Sequence, residues 1–516
     1  MNRFIQSITQ KRQLNLSPYI EWTTFSYLFC PFIIFFFGYF KTWIFLCWLI
    51  LLGLLVYKNK DKLWVKRSDY STQYSYLNLA LLLMGVCLWV YYSGIGWFSF
   101  TNGDYVKHNA ILYDLVSKEW PVYYHNGPEG GGKGFYLHYY FGYYLIPTVV
   151  GKWLGFLAGL RFTYFWAILG ILLGLYWSFK LIGKIRPIVF VVFVFFSGWD
   201  IVGHLLMNGK IPSLGTHMEW WSGSWQFSGN STLLYWVPQH VIPAWILTPI
   251  IMDKILQRRG ESTALCWYCL TSFWSPFVMF GLLPFIFIWF IRTNIKKWFS
   301  IQNIFFAGFI FTVFGLYYFS GSLNHRSGFI WSTQNFDQHI TKLLWFYLLE
   351  FINFWIFALP HFWYGKKEHK ILTVSVAILL VIIPLYVFGM YNDWAMRVSI
   401  PSLFALQLLI MIQFFQYQYK GKKIALGFFA LFWAIGSITC LSEITRSVKN
   451  PTARIPKRGI NQMRQYQTSA QYMGIPISPF FKYLTRKPSK GYKLNPSVYK
   501  HLRLKHTPIW SEYFDK

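Results

Sequence analysis

Acidic side chains are scarce in this sequence. Asp and Glu number 18 in 516 residues against 48 Lys plus Arg, and all charged residues together make up only 13%. So few charges cannot solvate a chain that would otherwise form roughly three soluble domains, so that class is excluded. Cysteine is scarce as well. Cys30, Cys47, Cys87, Cys266, Cys269 and Cys440 all lie in or beside apolar runs, which rules out a disulfide framework in a soluble domain. Cys266 and Cys269 are spaced like a redox or metal pair, but they sit inside a hydrophobic run without partner ligands and read as packing residues. A cleavable leader is not expected either: the first apolar run lacks a small-residue cleavage site, and a second run follows at once, so 22–57 reads as a retained hairpin. No internal repeat is visible.

What the chain does have is apolar mass. Hydrophobic residues make up 55% and aromatics 22%, with Phe 52, Tyr 36 and Trp 27. Runs such as 27–40, 43–57, 371–389 and 400–413 approach the ~17 to 25 residues of a bilayer-crossing helix. The expected fold is therefore an all-α polytopic membrane protein. A net charge of +30 would ordinarily suggest nucleic acid, but the cations fall in short clusters between apolar runs. These are Lys11 and Arg12; Lys58 to Arg67; Lys180, Lys184 and Arg186; Lys254, Arg258 and Arg259; Arg292, Lys296 and Lys297; Lys366, Lys367 and Lys370; Lys420, Lys422 and Lys423. That is the positive-inside pattern, so the clusters are assigned to the cytoplasm and nucleic acid is not expected as a partner.

Alternating sides from these clusters gives about thirteen crossings, with 136–160 re-entrant or interfacial to preserve parity. The chain divides into an N-terminal segment with a transmembrane hairpin, 1–75, a core, 76–442, and a small basic extracytoplasmic tail, 443–516. External loops fall at 93–135, 204–237, 320–342 and 389–399. The tail holds 15 Lys or Arg against 3 acids.

Because acids are few, they focus the search for chemistry. Eight fall outside: Asp104, Asp114, Glu119, Glu129, Asp200, Glu219, Asp337 and Asp393. From Asp104 onward Ala110, Ile111, Leu115 and Val116 recur at helical spacing, an amphipathic surface helix that gathers Asp104, Lys107 and His108 at its start. The carboxylate could serve as a general base with the cations holding a phosphate, or it could simply cap the helix or pair with Lys107. Downstream, Gly127 to Lys133 approaches a phosphate loop, but Gly134 replaces the hydroxyl that would hold magnesium, so an ATPase is rejected. A loop that orders over an anion through Lys133 stays open. The loop 204–237 is rich in Trp beside His204, His217 and Glu219, without a recognised metal spacing, and these rings equally suit an interfacial aromatic belt or sugar faces. Gln239 and His240 precede an apolar run, where a polar pair can face a cavity. Asp393 and Arg397 lie four apart and can pair on one face, either orienting the guanidinium for a lipid phosphate or forming a structural ion pair below an Asn392 cap. Glu350 falls within an apolar run and should face the bundle interior.

This combination of many crossings, Asp104 in a long early external loop, and the amphipathic segment after it resembles the GT-C superfamily of integral membrane glycosyltransferases. The resemblance spans 76–441 in architecture. It departs from the family in placing the loop after a third crossing, and in having Tyr105 where many members carry a second acid. It implies a GT-C-like bundle and a polyprenyl-phosphate sugar donor, with a glycan, lipid or protein acceptor. Asp104 would act as base and Lys107, Lys133 and Arg397 would be the candidate phosphate ligands, in a bacterial cytoplasmic membrane with the site facing outside. No cofactor is assigned, and a divalent metal is left open. The rivals are a lipid-linked saccharide transporter or flippase and a polysaccharide polymerase or ligase.

Overall fold

Apolar runs punctuated by Ser, Pro, Gly and Lys set the helices. In the computed structural model residues 12–14, 17–63, 72–125, 134–183, 185–223, 225–321, 327–332, 336–351, 358, 366–389, 391–419, 423–462 and 472–493 are described. The helices used below are α1 (Ser17–Tyr39), α2 (Thr42–Leu63), α3 (Tyr76–Tyr92), α4 (Asp104–Ser117), α5 (Leu145–Leu154), α6 (Phe156–Ile182), α7 (Pro238–Gln257), α8 (Pro276–Arg292), α9 (Lys367–Ile382), α10 (Asp393–Val398), α11 (Ile400–Tyr419) and α12 (Lys423–Lys449). Their ends follow local chemistry. Ser75 caps α3 by accepting the Asn78 N–H at 3.2 Å, and Ser275 caps α8 by accepting that of Val278 at 3.1 Å. Gly183, in the left-handed region at φ 85°, stops α6.

Among the described residues five helical stretches are long and apolar enough to cross a membrane: Tyr19–Tyr39, Phe156–Ile182, Lys367–Leu385, Asp393–Phe415 and Lys423–Lys449. The expected count of about thirteen is therefore too high, because apolar composition does not guarantee an unbroken helix. The run after Arg186 yields only Pro187–Val194. The run before α8 breaks into Ala264–Cys269 and Thr271–Trp274, and Ser275 is extended because Pro276 disfavours helical geometry before it. The stretch 136–160 becomes a short strand, a loop and the ten-residue α5, which is about 15 Å long, half a hydrocarbon thickness. Gly155, at φ 91°, then turns the chain into α6. In the run 343–360, residues 352–357 and 359–360 lie outside the described set.

The centre of the molecule is α7, nearly every side chain of which is buried. It packs on α6, α8 and α11. Gly170 and Gly174 on α6 make this approach possible, since a Cβ at Gly174 would meet the Trp245 carbonyl oxygen at 3.1 Å. At one end of α7 lie Gln239 and His240; at the other, Arg258 bonds Glu368 at 3.1 Å, and Arg292 reaches the same carboxylate at 3.3 Å. Three of the basic clusters therefore meet at one end. The helix of twenty residues, about 30 Å long, holds that end apart from Gln239 and His240 at its start.

The C-terminal segment is woven into the rest. Strands β1 (Tyr123–His125) and β2 (Gly134–Leu137) pair antiparallel. β3 (Met473–Gly474) adds beside β2 and β4 (Gly491–Lys493) beside β1, in the order β3-β2-β1-β4. Phe480 enters the aromatic core formed by Phe35, Tyr317 and Phe40, and Phe481 stacks on Tyr136 at 4.3 Å. Two such rings bury enough apolar surface to hold the segment down, at about 1.5 to 3 kcal/mol each.

Candidate functional site

The first turn of α4 is pinned before it begins. Asn102 accepts the Asp104 N–H at 3.0 Å and donates to the Tyr235 carbonyl at 2.6 Å. Tyr105 donates to the Ser93 carbonyl at 3.0 Å. The helix then buries Tyr105, His108, Ile111, Leu112 and Leu115, leaving Asp104 one-third exposed at its rim. Asp104 pairs with Lys107 at 3.0 Å, as the i,i+3 spacing allows. Burial pushes the Asp104 carboxyl up, but the charge and hydrogen bond of Lys107, with Arg397 farther off, outweigh it and hold the group below the usual carboxylate range.

Arg397 comes from a distant part of the chain. Asn392 takes the left-handed conformation at φ 54° and caps α10 by accepting the Ala395 N–H at 3.4 Å. One turn later Arg397 bonds Asp393 at 2.8 Å. The guanidinium also donates to the Tyr140 hydroxyl at 3.5 Å and lies over the Phe277 ring at 5.4 Å. The fields of Asp104 and Arg397 act on each other, and a chain of contacts connects their helices: His108 reaches the Tyr144 hydroxyl, the Tyr144 ring lies 6.1 Å from that of Tyr139, and Arg397 bonds the neighbouring Tyr140.

Tyrosines wall this site, a feature not read from the sequence. Tyr139 and Tyr140 lie with ring centroids 3.8 Å apart. The Tyr139 backbone is clamped by the Tyr317 hydroxyl, which accepts its N–H at 2.9 Å and donates to its carbonyl at 2.7 Å. Tyr472, from the C-terminal segment, meets Tyr139 edge-on at 5.2 Å. Its carbonyl accepts the His138 N–H at 2.8 Å. Burial drives the Tyr140 phenol up to about 12, so it remains a neutral donor at physiological pH. The only sequence signal was the density of Tyr between 136 and 144, which an interfacial belt explains equally well.

His108 is turned inward. Its Nε2 donates to the Trp236 carbonyl at 3.0 Å and its Nδ1 accepts from the Tyr144 hydroxyl at 2.5 Å. Burial, with Lys107 next to it, lowers its pKa to about 3, so the ring is neutral. Beyond it lies an apolar cavity of about 20 Å³ edged by Trp97, Tyr105 and Leu160, too small for a sugar.

Gln239 and His240 open α7 beside the tyrosines. Gln239 donates to the Tyr139 hydroxyl at 3.4 Å, and His240 Nδ1 meets Ser275 Oγ at 2.6 Å. The His240 ring lies 4.8 Å from that of Tyr140. The structure thus gathers Gln239, His240, Asp393 and Arg397 around Tyr139 and Tyr140, while Asp104 and Lys107 act on this group through their charge. Lys133 and the glycine-rich loop lie outside the described residues.

A second polar group lies apart. Asp200 and Glu350 are buried and hydrogen-bonded to each other, so one of the two carboxyls holds a proton. The Trp221 indole N–H reaches Asp200 at 3.1 Å and Glu350 at 3.3 Å. Glu219 accepts the Gly229 N–H at 2.8 Å and a bond from Gln226. His217 pairs with Glu443 at 2.7 Å, and His204 bonds the Met218 carbonyl. Among the described residues no three His, Cys, Asp or Glu side chains converge as a metal-ligand set. Cys269 donates to the Cys266 carbonyl at 3.2 Å within its own helix. Comparison with protein-family models, with curated proteins and with solved structures finds no match for the chain.

Proposed function

We propose that the protein is a GT-C-like glycosyltransferase. It moves a sugar from a polyprenyl-phosphate donor to a glycan, lipid or protein acceptor on the extracytoplasmic side of the membrane. The observation that carries this reading is the mutual field of the Asp104–Lys107 and Asp393–Arg397 ion pairs, the second of which lies against the Tyr139–Tyr140 pair. Such a site offers a carboxylate to an acceptor hydroxyl and two cations to a phosphate.

In the proposed reaction the acceptor hydroxyl gives its proton to Asp104 as its oxygen bonds the anomeric carbon. The bond from that carbon to the phosphate oxygen breaks, and polyprenyl phosphate leaves with the electron pair. A single displacement inverts the configuration. Arg397 and Lys107 stabilise charge on the leaving phosphate. Lys107 couples the two halves: when the donor phosphate draws its ammonium away from Asp104, the carboxylate regains basicity at the moment it is needed.

The hydrogen-bonded Asp200 and Glu350 favour one rival, a proton-coupled transporter of lipid-linked saccharide. Incubating purified protein with a polyprenyl-phosphate donor carrying labelled sugar separates the two. The transferase gives labelled, inverted product, whereas a transporter moves the intact donor across a vesicle membrane without product.

A further inference from the structure

Buried polar atoms normally find partners, and leaving one unpaired costs about 1 to 3 kcal/mol. Gln239 and His240 are both fully buried. Gln239 Oε1 and His240 Nε2 nevertheless have no hydrogen-bond partner among the described residues. Both side chains abut the Tyr139–Tyr140 pair, through the Gln239 contact to the Tyr139 hydroxyl and the His240 ring beside Tyr140. Arg397 donates to the Tyr140 hydroxyl at 3.5 Å.

One consistent assignment of the protons sets what each atom offers. Ser275 Oγ already accepts the Val278 N–H as a helix cap. Its second lone pair leaves both histidine tautomers open, and we assign its proton to the bond with His240 Nδ1, at 2.6 Å. That places the imidazole proton on Nε2, which becomes a spare donor. Gln239 uses its amide N–H on Tyr139 and keeps its carbonyl as a spare acceptor. A phosphate oxygen accepts only and would leave Gln239 unanswered. A hydroxyl donates and accepts, and answers both. The adjoining tyrosine rings offer a flat apolar surface of the kind that covers the C–H face of a sugar ring.

We propose that Gln239 and His240, backed by Tyr139 and Tyr140, form a subsite that reads a hydroxyl of the sugar whose phosphate Arg397 holds. This rests on the lipid-phosphate-sugar reading above and deepens it. It divides the site into a charged part for the phosphate and a neutral part that selects the sugar. A site built around a hydroxyl rejects a ligand that lacks it far more strongly than an apolar pocket rejects a change of size.

The test uses the full purified chain in nanodiscs, with farnesyl phosphate and its glucosyl, galactosyl and mannosyl phosphodiesters as probes, and tryptophan fluorescence as the binding readout. At least one glycosylated probe is expected to bind roughly tenfold tighter than farnesyl phosphate. Gln239→Leu and His240→Phe should each erase that preference while leaving the affinity for farnesyl phosphate within about twofold. A series of monodeoxy sugars on the wild-type protein tests the same point without any mutation: loss of one hydroxyl should abolish the preference. Equal binding of bare and glycosylated probes overturns the subsite, as does equal weakening of both by the variants. Binding with the expected preference but no transfer to any acceptor overturns the transferase and leaves the subsite standing. Failure of every probe to bind overturns both.

Discussion

Asp114, on the same helix as Asp104, accepts the backbone N–H of Ile460 at 2.7 Å. The same carboxylate accepts the Tyr124 hydroxyl at 2.6 Å and pairs with Lys118, which in turn donates to Asn461 at 2.8 Å. One fully buried acid thus ties the C-terminal segment to the helix that presents Asp104. Asp114→Ala leaves Lys118 largely buried without its counter-ion, a loss of roughly 3 to 5 kcal/mol. The expected outcome is a lower melting temperature and faster proteolytic cleavage within 451–462, since detaching that stretch also frees Tyr472 from the site. Unchanged cleavage would mean that the strand pairings and the Phe480 and Phe481 rings hold the segment without Asp114.

His108 predicts loss of stability on the acid side. Its folded-state pKa, about 3, lies below the ordinary 6.5. The unfolded chain therefore takes up a proton that the folded one refuses between those values. The contribution is intact above about 6.5 and declines as pH falls toward 3. In His108→Gln, which keeps a polar group but cannot titrate, the fall in melting temperature across that window should be shallower than in the wild type.

Glu219 predicts the opposite slope. Burial first, then Asp200, pushes its carboxyl up to about 7 from 4.5, while His217 opposes the shift. The folded state holds the proton more tightly, so stability is full below about 4.5 and is lost as pH rises through 7. Glu350, hydrogen-bonded to Asp200, faces the same group, and Glu443 and Arg446 stand behind His217. Glu219→Gln should flatten this loss, as read by thermal unfolding between pH 5 and 8.

Arg397→Lys keeps the charge but loses the fork that reaches Asp393 and Tyr140 together. Transfer should fall about a hundredfold, the scale of losing one transition-state donor, with little change in melting temperature. A full rate in this variant would show that only net charge is required.

Some of this arrangement is legible in the sequence because it is local. The helix from Asp104, the i,i+4 pair of Asp393 and Arg397, and the Asn392 cap each depend on neighbours within one or two turns. The crossings are less legible. Hydropathy counts apolar residues but does not register that Pro276 forces Ser275 into an extended conformation, or that Gly155 ends the ten-residue α5. The walls of the site are the least legible. Tyr472 reaches Tyr139 only because β3 adds to β2, a long-range pairing over a two-residue strand that carries no periodic signal. The free atoms of Gln239 and His240 become apparent only once Ser275 and Tyr139 are seen to occupy their other ends.

The central claim is that Asp104 acts as a base in transfer from a lipid phosphate. The direct measurement is the rate of labelled sugar transfer by purified wild type and Asp104→Asn at equal folded concentration. The amide keeps the shape and an acceptor for Lys107 but loses the negative charge, so the ion pair and the base are removed while the cations stay in place for the donor phosphate. A drop of about 10² to 10⁴ in kcat with near-normal donor binding is the predicted result. Transfer at the wild-type rate in Asp104→Asn would contradict the account.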